Sequence, residues 1–317
     1  METTVTNGKH ETNGTSGTSE TFMGRLRARM ESAHTLLCVG LDPAPGRLSA
    51  AVLSALPDGA GAEIEETLVA YNAAIVEATA SYVCAFKPNS AFYEAHGEAG
   101  LRALRRTIAL IHGRYPDVPV LLDVKRGDIG STSRAYAQAA FDGIGADAVT
   151  LQPYLGGEAL LPFLERADRG CFILCRTSNP GGGELQDLLV TASDGSQQPL
   201  YLAVAARVAG EWNARGNCGL VVGATYPDEL RRVRAVAPDL PILVPGIGAQ
   251  GGDLEGTVRA GLDAHGLGLL ISASRSVYYA SDGADFAAAA GAEARRLRDA
   301  INAVRDQLAA HGEERRA

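Results

Sequence analysis

The chain is short of aromatic residues, and the shortage narrows what it can be. Phe, Tyr and Trp make up 6% of 317 residues, with one tryptophan, Trp212. That is too few for a platform on which single-stranded bases stack. Positive charge is also in deficit: 29 Lys and Arg stand against 37 Asp and Glu, a formal net charge of −8. This balance argues against a nucleic-acid coat and against a polybasic membrane anchor. No apolar run approaches the roughly 18 residues that a membrane helix needs. Met1–Glu20 is rich in Thr, Asn, Gly and Ser and lacks the apolar stretch of a secretory signal, so it reads as a disordered tail. The sequon Asn13-Gly14-Thr15 carries no weight without secretion. Cysteine is sparse, an odd set of five (Cys38, Cys84, Cys171, Cys175 and Cys218) lying mostly in apolar stretches. Cys171 and Cys175 share a face if their segment is a strand. No second Cys/His pair lies nearby, so they read as buried strand cysteines in a reduced, cytoplasmic protein rather than as metal ligands.

What the chain does have is apolar content, at 46%, and 37 glycines. The first is ample for a large core. The second suits repeated tight turns between strands and helices. Length alone, at about 150 residues per domain, suggests two domains, whereas a single α/β barrel uses about 250. The pattern decides for the barrel. Short β-rich runs are predicted at Leu36–Leu41, Val83–Lys87, Val120–Lys125, Ala148–Leu151, Cys171–Arg176, Leu220–Ala224, Pro241–Val244 and Gly268–Ile271. Each is followed by a polar or glycine turn and a helical stretch, the first being Glu63–Ser81 and the last Ala284–Ala310. Strict alternation implies parallel strands with right-handed crossovers, and eight such units close into a (β/α)8 TIM barrel over residues 21–317. An open doubly wound sheet is disfavoured because Gly40-Leu41-Asp42-Pro43 supplies one glycine where a dinucleotide fingerprint needs several.

Parallel strands are apolar throughout, so charges at their C-terminal ends carry information. Lys87 ends the second run and Asp123-Val124-Lys125-Arg126-Gly127-Asp128 ends the third. A strand period of two puts Asp123 and Lys125 on the same side as Leu121, facing the barrel mouth. Opposite charges there hold each other ionised, where one alone would be prohibitive. Pro245–Gly252 after the seventh run and Ser274-Arg275-Ser276 after the eighth occupy the usual phosphate position of barrels. Glycines bring backbone N–H groups close to an oxyanion there, and Arg275 adds a permanently charged fork. Arg176-Thr177-Ser178-Asn179-Pro180, followed by Gly181–Gly183, opens a long loop reaching to about Leu200. A loop of that length reads as a lid hinged at glycine, with Ser178 and Asn179 able to bond a polar ring edge.

Together these residues resemble the orotidine 5′-phosphate decarboxylases over Leu37–Ser281, in particular a longer, mostly bacterial subgroup marked by Lys-Arg-Gly-Asp-Ile-Gly-Ser-Thr, here Lys125–Thr132. The resemblance implies a lyase of pyrimidine nucleotide synthesis that converts orotidine 5′-monophosphate to uridine 5′-monophosphate without cofactor or metal. Lys87, Asp123, Lys125 and Asp128 match the family's charged tetrad. Asp42 matches the ribose ligand, Ser178 the pyrimidine contact, and Gly248, Gln250 and Arg275 the phosphate grip. The last aspartate of the tetrad enters from the partner subunit, and Thr132 likewise reaches the partner's ribose. A homodimer with shared sites follows, with a small nucleotide as the only other partner. Gly130 stands where the smaller branch has proline. The implied intermediate is a vinylic carbanion at C6, stabilised and then protonated by Lys125.

Three other readings compete. Metal-dependent relatives place a glutamate ligand where this chain has Lys87, whose ammonium repels a divalent cation. A Schiff-base aldolase needs a nucleophilic lysine, and an ammonium between two carboxylates is a poor one. A barrel that only binds a phosphorylated ligand has little use for a packed charge cluster.

Overall fold

A strand buried on both faces must be apolar throughout, and the strands of this chain obey that rule until their C-terminal ends. A computed structural model describes residues 21–57, 63–192, 194–247 and 253–314. The expectations for Met1–Glu20, Gly248 and Gln250 lie outside these residues. The strands are β1 (Leu37–Leu41), β2 (Ala85–Pro88), β3 (Leu121–Arg126), β4 (Ala148–Leu151), β5 (Gly170–Arg176), β6 (Cys218–Val222), β7 (Ile242–Pro245) and β8 (Leu269–Ala273). All eight are parallel, in the order β2-β1-β8-β7-β6-β5-β4-β3. Two isolated bridges, Phe86 to Val120 and Asn89 to Asp123, join β2 to β3 and bring the sheet round into a nearly closed barrel. The alternation of strands and helices therefore stands, in the (β/α)8 form that the pattern predicts.

The principal helices are α1 (Phe22–Ser32), α2 (Ile64–Thr79), α3 (Gly97–Arg114), α4 (Gly130–Gln138), α5 (Gly157–Leu164), α6 (Leu200–Ala209), α7 (Pro227–Val236), α8 (Leu254–Gly261) and α9 (Phe286–Glu314). Most predicted boundaries hold within a few residues. The stretch expected at Tyr201–Arg215 stops earlier, at Ala209, and continues past Gly210 as a 3-10 turn over Glu211–Asn213. Among the described residues no helix is long and apolar enough to cross a membrane.

The first helix precedes the first predicted strand and went unread in the sequence, although Phe22, Leu26 and Met30 are spaced four apart along it. Thr21 caps its N-terminus by accepting the Gly24 N–H at 3.1 Å, and the three apolar residues are buried. Phe22 meets Phe172 of β5 edge-on at 6.0 Å, and full burial of such a ring is worth about 1.5–3 kcal/mol. Arg25 pairs with Asp147 at 2.9 Å, just before β4. The helix thus covers the N-terminal end of the barrel and leaves the C-terminal end open. All five cysteines are buried and free, as expected for strand cysteines.

The loop after β5 departs from the expected structureless lid. Pro180–Gly182 forms a 3-10 turn, Gly183–Gln186 a single α turn, and Leu189–Thr191 pairs with Gln197–Pro199 as an antiparallel hairpin. The two ends of the glycine run are therefore held in turns. Gln186 Oε1 accepts the Thr177 N–H at 2.8 Å, and Arg176 Nη2 donates to Asp187 at 3.0 Å, so the loop folds back onto the strand that launches it.

Candidate active site

Of the eight barrel strands, β3 loses its burial furthest from its end. Leu121 and Leu122 are buried, whereas Asp123–Arg126 open toward solvent. Its pairing with β4 breaks in the same place: Leu122 aligns with Val149 and Arg126 with Leu151, leaving Asp123, Val124 and Lys125 opposite Thr150 alone. Lys125 takes φ +46°, one of two non-glycine positive φ values among the described residues. For an L-residue that conformation costs on the order of 1 kcal/mol. The predicted period-two placement of Asp123 and Lys125 is thus correct in outcome but not in route, because a bulge rather than regular pleating brings them together.

Lys125 Nζ lies 2.6 Å from Asp123 Oδ1, and Lys87 Nζ lies 3.5 Å from Asp123 Oδ2 across the β2–β3 seam. Asp123 also accepts from Thr150 Oγ1 at 2.7 Å and from Asn89 Nδ2 at 3.3 Å. Burial works to raise its pKa, but the ammonium groups of Lys87 and Lys125 and the hydrogen bonds from Lys125 and Thr150 reverse the effect and hold the carboxyl below its ordinary value. For Lys87, burial pulls the other way from its neighbours. The carboxylates Asp42 and Asp123 prevail and keep its pKa above the ordinary lysine value. The two lysines differ sharply in access: the Lys87 side chain is 7% exposed and that of Lys125 48%. Below them on β1, burial pushes the Cys38 thiol up to about 12, so it is no nucleophile at neutral pH.

Asp42 follows β1 and is fixed from two sides. Its Oδ2 accepts the Ser274 hydroxyl, and its Oδ1 accepts the Asn89 N–H at 3.2 Å. Gly40 permits the first contact, since a Cβ there would lie 2.5 Å from Ser274 Oγ. Asp42, Lys87, Asn89, Ser274 and Arg275 line one cavity of about 350 Å³, bounded also by Gly246 and Ile247 after β7. The predicted phosphate arginine therefore opens into the same space as Lys87 and Asp42. A larger groove of about 740 Å³ runs past Tyr154 and Trp212 on the barrel flank, away from this cluster.

Residues 35–290 match the model of the orotidine 5′-phosphate decarboxylase / HUMPS family. The chain is 56% identical over 268 residues to an orotidine 5′-phosphate decarboxylase of Roseiflexus castenholzii, covering 84% of this chain and 92% of that one. The chain belongs to this family. Its fold agrees with the structure of Leishmania donovani OMP decarboxylase at a TM-score of 0.75 and 41% identity, over 90% of this chain and 98% of that one. It also matches Leishmania donovani UMP synthase at a TM-score of 0.77 and 42% identity, over 90% of this chain but 56% of that longer one. Relatives at these identities carry the name of a lyase, and the chain is a carbon–carbon lyase of the orotidine 5′-phosphate decarboxylase family.

Against this family's pattern, the barrel gathers Asp42, Lys87, Asp123, Lys125 and Arg275 at one end. Asp128 stands apart: its Oδ1 accepts the Ile129 N–H at 2.7 Å, and among the described residues it forms no ion pair. Thr132 is exposed on the first turn of α4. Ser178 lies against Gly223, just past the end of β6. Gly130 takes φ +49°, which a proline ring, fixed near −65°, cannot adopt, so the departure from the smaller branch reshapes the start of α4. Asn89 and Thr150 are functional neighbours that the sequence reading missed. Both are uncharged: Thr150 is an ordinary β-former within its strand, and Asn89, just past Pro88, reads as an ordinary turn residue.

Proposed function

We propose that the chain decarboxylates orotidine 5′-monophosphate to uridine 5′-monophosphate, without cofactor or metal, in de novo pyrimidine biosynthesis. The observation that carries this reading is the Asp123 carboxylate held between the Lys87 and Lys125 ammonium groups at 3.5 and 2.6 Å. Loss of CO2 leaves an electron pair at C6 with no adjacent carbonyl to receive it. A fixed positive charge at that carbon is the remaining means of stabilisation, and it acts without reorganisation when it is already held in place. Lys125 suits that task because its ammonium is half exposed at the barrel mouth, whereas Lys87 is buried and locked. Lys125 then delivers its proton to C6, closing the step with CO2 as the departing group. Asp123 faces the substrate carboxylate, and their repulsion is relieved as CO2 leaves.

In the same reading Asp42 binds the ribose hydroxyls, Ser178 the pyrimidine, and Arg275 with Gly248 and Gln250 the phosphate. Binding energy from the phosphate, remote from C6, can be spent on closing the loop after β5 and so on the transition state. Asp128 and Thr132 serve the partner's site in a homodimer. Their lack of engagement with their own chain's cluster supports this assignment. A cytoplasmic location belongs to the same reading, since five free buried thiols suit a reducing compartment.

The test is the loss of orotidine 5′-monophosphate absorbance with purified protein, repeated with Lys125→Ala. The reading expects turnover by the wild type, none by the variant, and measurable uridine 5′-monophosphate binding by both. Near wild-type decarboxylation by the variant sinks the role of Lys125, and inactivity of the wild type sinks the substrate.

A further inference from the structure

We infer that Thr150 is a positioning residue, one whose hydroxyl holds the Asp123–Lys125 pair in its working geometry. Thr150 sits in β4, opposite the bulge, with its side chain buried. Its hydroxyl donates to Asp123 Oδ1 at 2.7 Å and accepts the Lys125 backbone N–H at 3.0 Å. One group therefore grips both members of the pair, the carboxylate by its side chain and the lysine by its backbone.

The bulge explains why such a group is required. Three residues of β3 stand opposite one of β4, so the Lys125 N–H has lost the carbonyl partner that a regular ladder would supply. An unsatisfied N–H beside a buried carboxylate is costly, and the threonine hydroxyl takes the place of the missing acceptor. Lys125 is also held at φ +46°, a conformation that relaxes unless its surroundings enforce it. Relaxing it would swing the lysine side chain away from Asp123. A β-branched residue suits the position because its stiff χ1 keeps the hydroxyl aimed at both partners. The inference rests on the reading that Lys125 and Asp123 carry the reaction.

The experiment compares Thr150→Val, Thr150→Ser and Lys125→Ala in steady-state decarboxylation, with uridine 5′-monophosphate inhibition as the measure of ground-state binding. Valine keeps shape and branching but loses the hydroxyl, and serine keeps the hydroxyl. We expect kcat of Thr150→Val to fall by at least about tenfold, the loss of one charge-assisted hydrogen bond, with the inhibition constant within about twofold of wild type. Thr150→Ser should recover most of that loss. A Thr150→Val enzyme with unchanged kcat, or a serine variant as impaired as the valine one, overturns the inference. If the valine variant fails to fold, Thr150→Ala against Thr150→Ser decides: alanine slower than serine supports the hydroxyl's role, and equal rates overturn it. Lys125→Ala separates the two levels of argument. An active Lys125→Ala enzyme refutes the role given to Lys125 on which the inference rests, while an inactive one beside an unaffected Thr150→Val refutes the positioning role alone.

Discussion

Replacing Asp123 by asparagine keeps the shape of the side chain and one acceptor oxygen but removes the charge that Lys87 and Lys125 share. At the 3.5 Å separation from Lys87, the gross attraction is about 5 kcal/mol for an effective dielectric constant near 20. Lys125 adds less than its 2.6 Å separation suggests, because its side chain is 48% exposed and solvent screens it. Removing one partner of a buried pair costs about 3–5 kcal/mol, mostly through the charge left behind. Asp42 continues to compensate Lys87, so the low end applies, about 3 kcal/mol. For a domain of this size that corresponds to a fall in Tm of roughly 5 °C. The loss must also depend on pH with a definite sign. The folded-state pKa of Asp123 is lowered, so its contribution is complete above the unfolded carboxylate value of about 3.9 and is lost as pH falls toward the folded one. Urea denaturation followed by circular dichroism, at fixed protein concentration, should give a wild-type minus variant difference that is flat from about pH 8 to 5 and narrows below about pH 4. A difference under about 1 kcal/mol at pH 7, or one that does not change with acid, would refute the placement of this charge.

Two further outcomes test the rest of the site. Arg275→Ala should lower kcat/KM for the phosphorylated substrate by about ten- to a hundredfold, the worth of a charge-assisted contact; unchanged steady-state kinetics would mean that the phosphate sits elsewhere. Excess EDTA should leave turnover intact, because the Lys87 ammonium already lies beside the Asp42 and Asp123 carboxylates that a divalent cation would need. Activity lost to EDTA and restored by Mg2+ would overturn that argument.

The sequence made the barrel legible because parallel strands and their helices carry opposite periodicities, and because charges at strand ends stand out against apolar runs. It made Lys87, Asp123 and Lys125 legible as a cluster for the same reason. Helix α1 was equally visible in Phe22, Leu26 and Met30 but lies before the repeating pattern that drew the reading. The hairpin within the loop after β5 is marked by Asp194-Gly195, a common two-residue turn signal, and Gly195 takes φ +85°. The glycine-rich run ahead of it masked that signal and suggested an unstructured lid. Thr150 could not be found in this way, since a threonine in Ala-Val-Thr-Leu is what any strand contains. Its role depends on a bulge in the neighbouring strand, and a bulge is a property of the pairing rather than of either sequence.

That dependence says something about where the site lies. Elsewhere the pairing can keep one register, as between β4 and β5 from Ala148–Gly170 to Leu151–Ile173, and the β5–β6 pairing shifts only at its end, between Leu174 and Arg176. At β3 the regularity fails on both sides. Toward β2 two isolated bridges remain, and toward β4 the register shifts. The groups freed there are met locally: the Ser90 N–H donates to the Asp123 carbonyl at 3.2 Å, and the Lys125 N–H donates to the Thr150 hydroxyl. A regular ladder would hold Lys125 extended, with its backbone paired to β4. The broken one lets the chain turn back so that its ammonium meets Asp123, and it leaves room for Lys87 to reach the same carboxylate across the seam. A net charge of −8 is no obstacle to an anionic substrate under these conditions. The local field at the barrel mouth is set by the cations held there, Lys87 and Lys125 beside Asp123 and Arg275 in the cavity that Lys87 also lines, whereas exposed charges elsewhere on the surface are screened by solvent and salt.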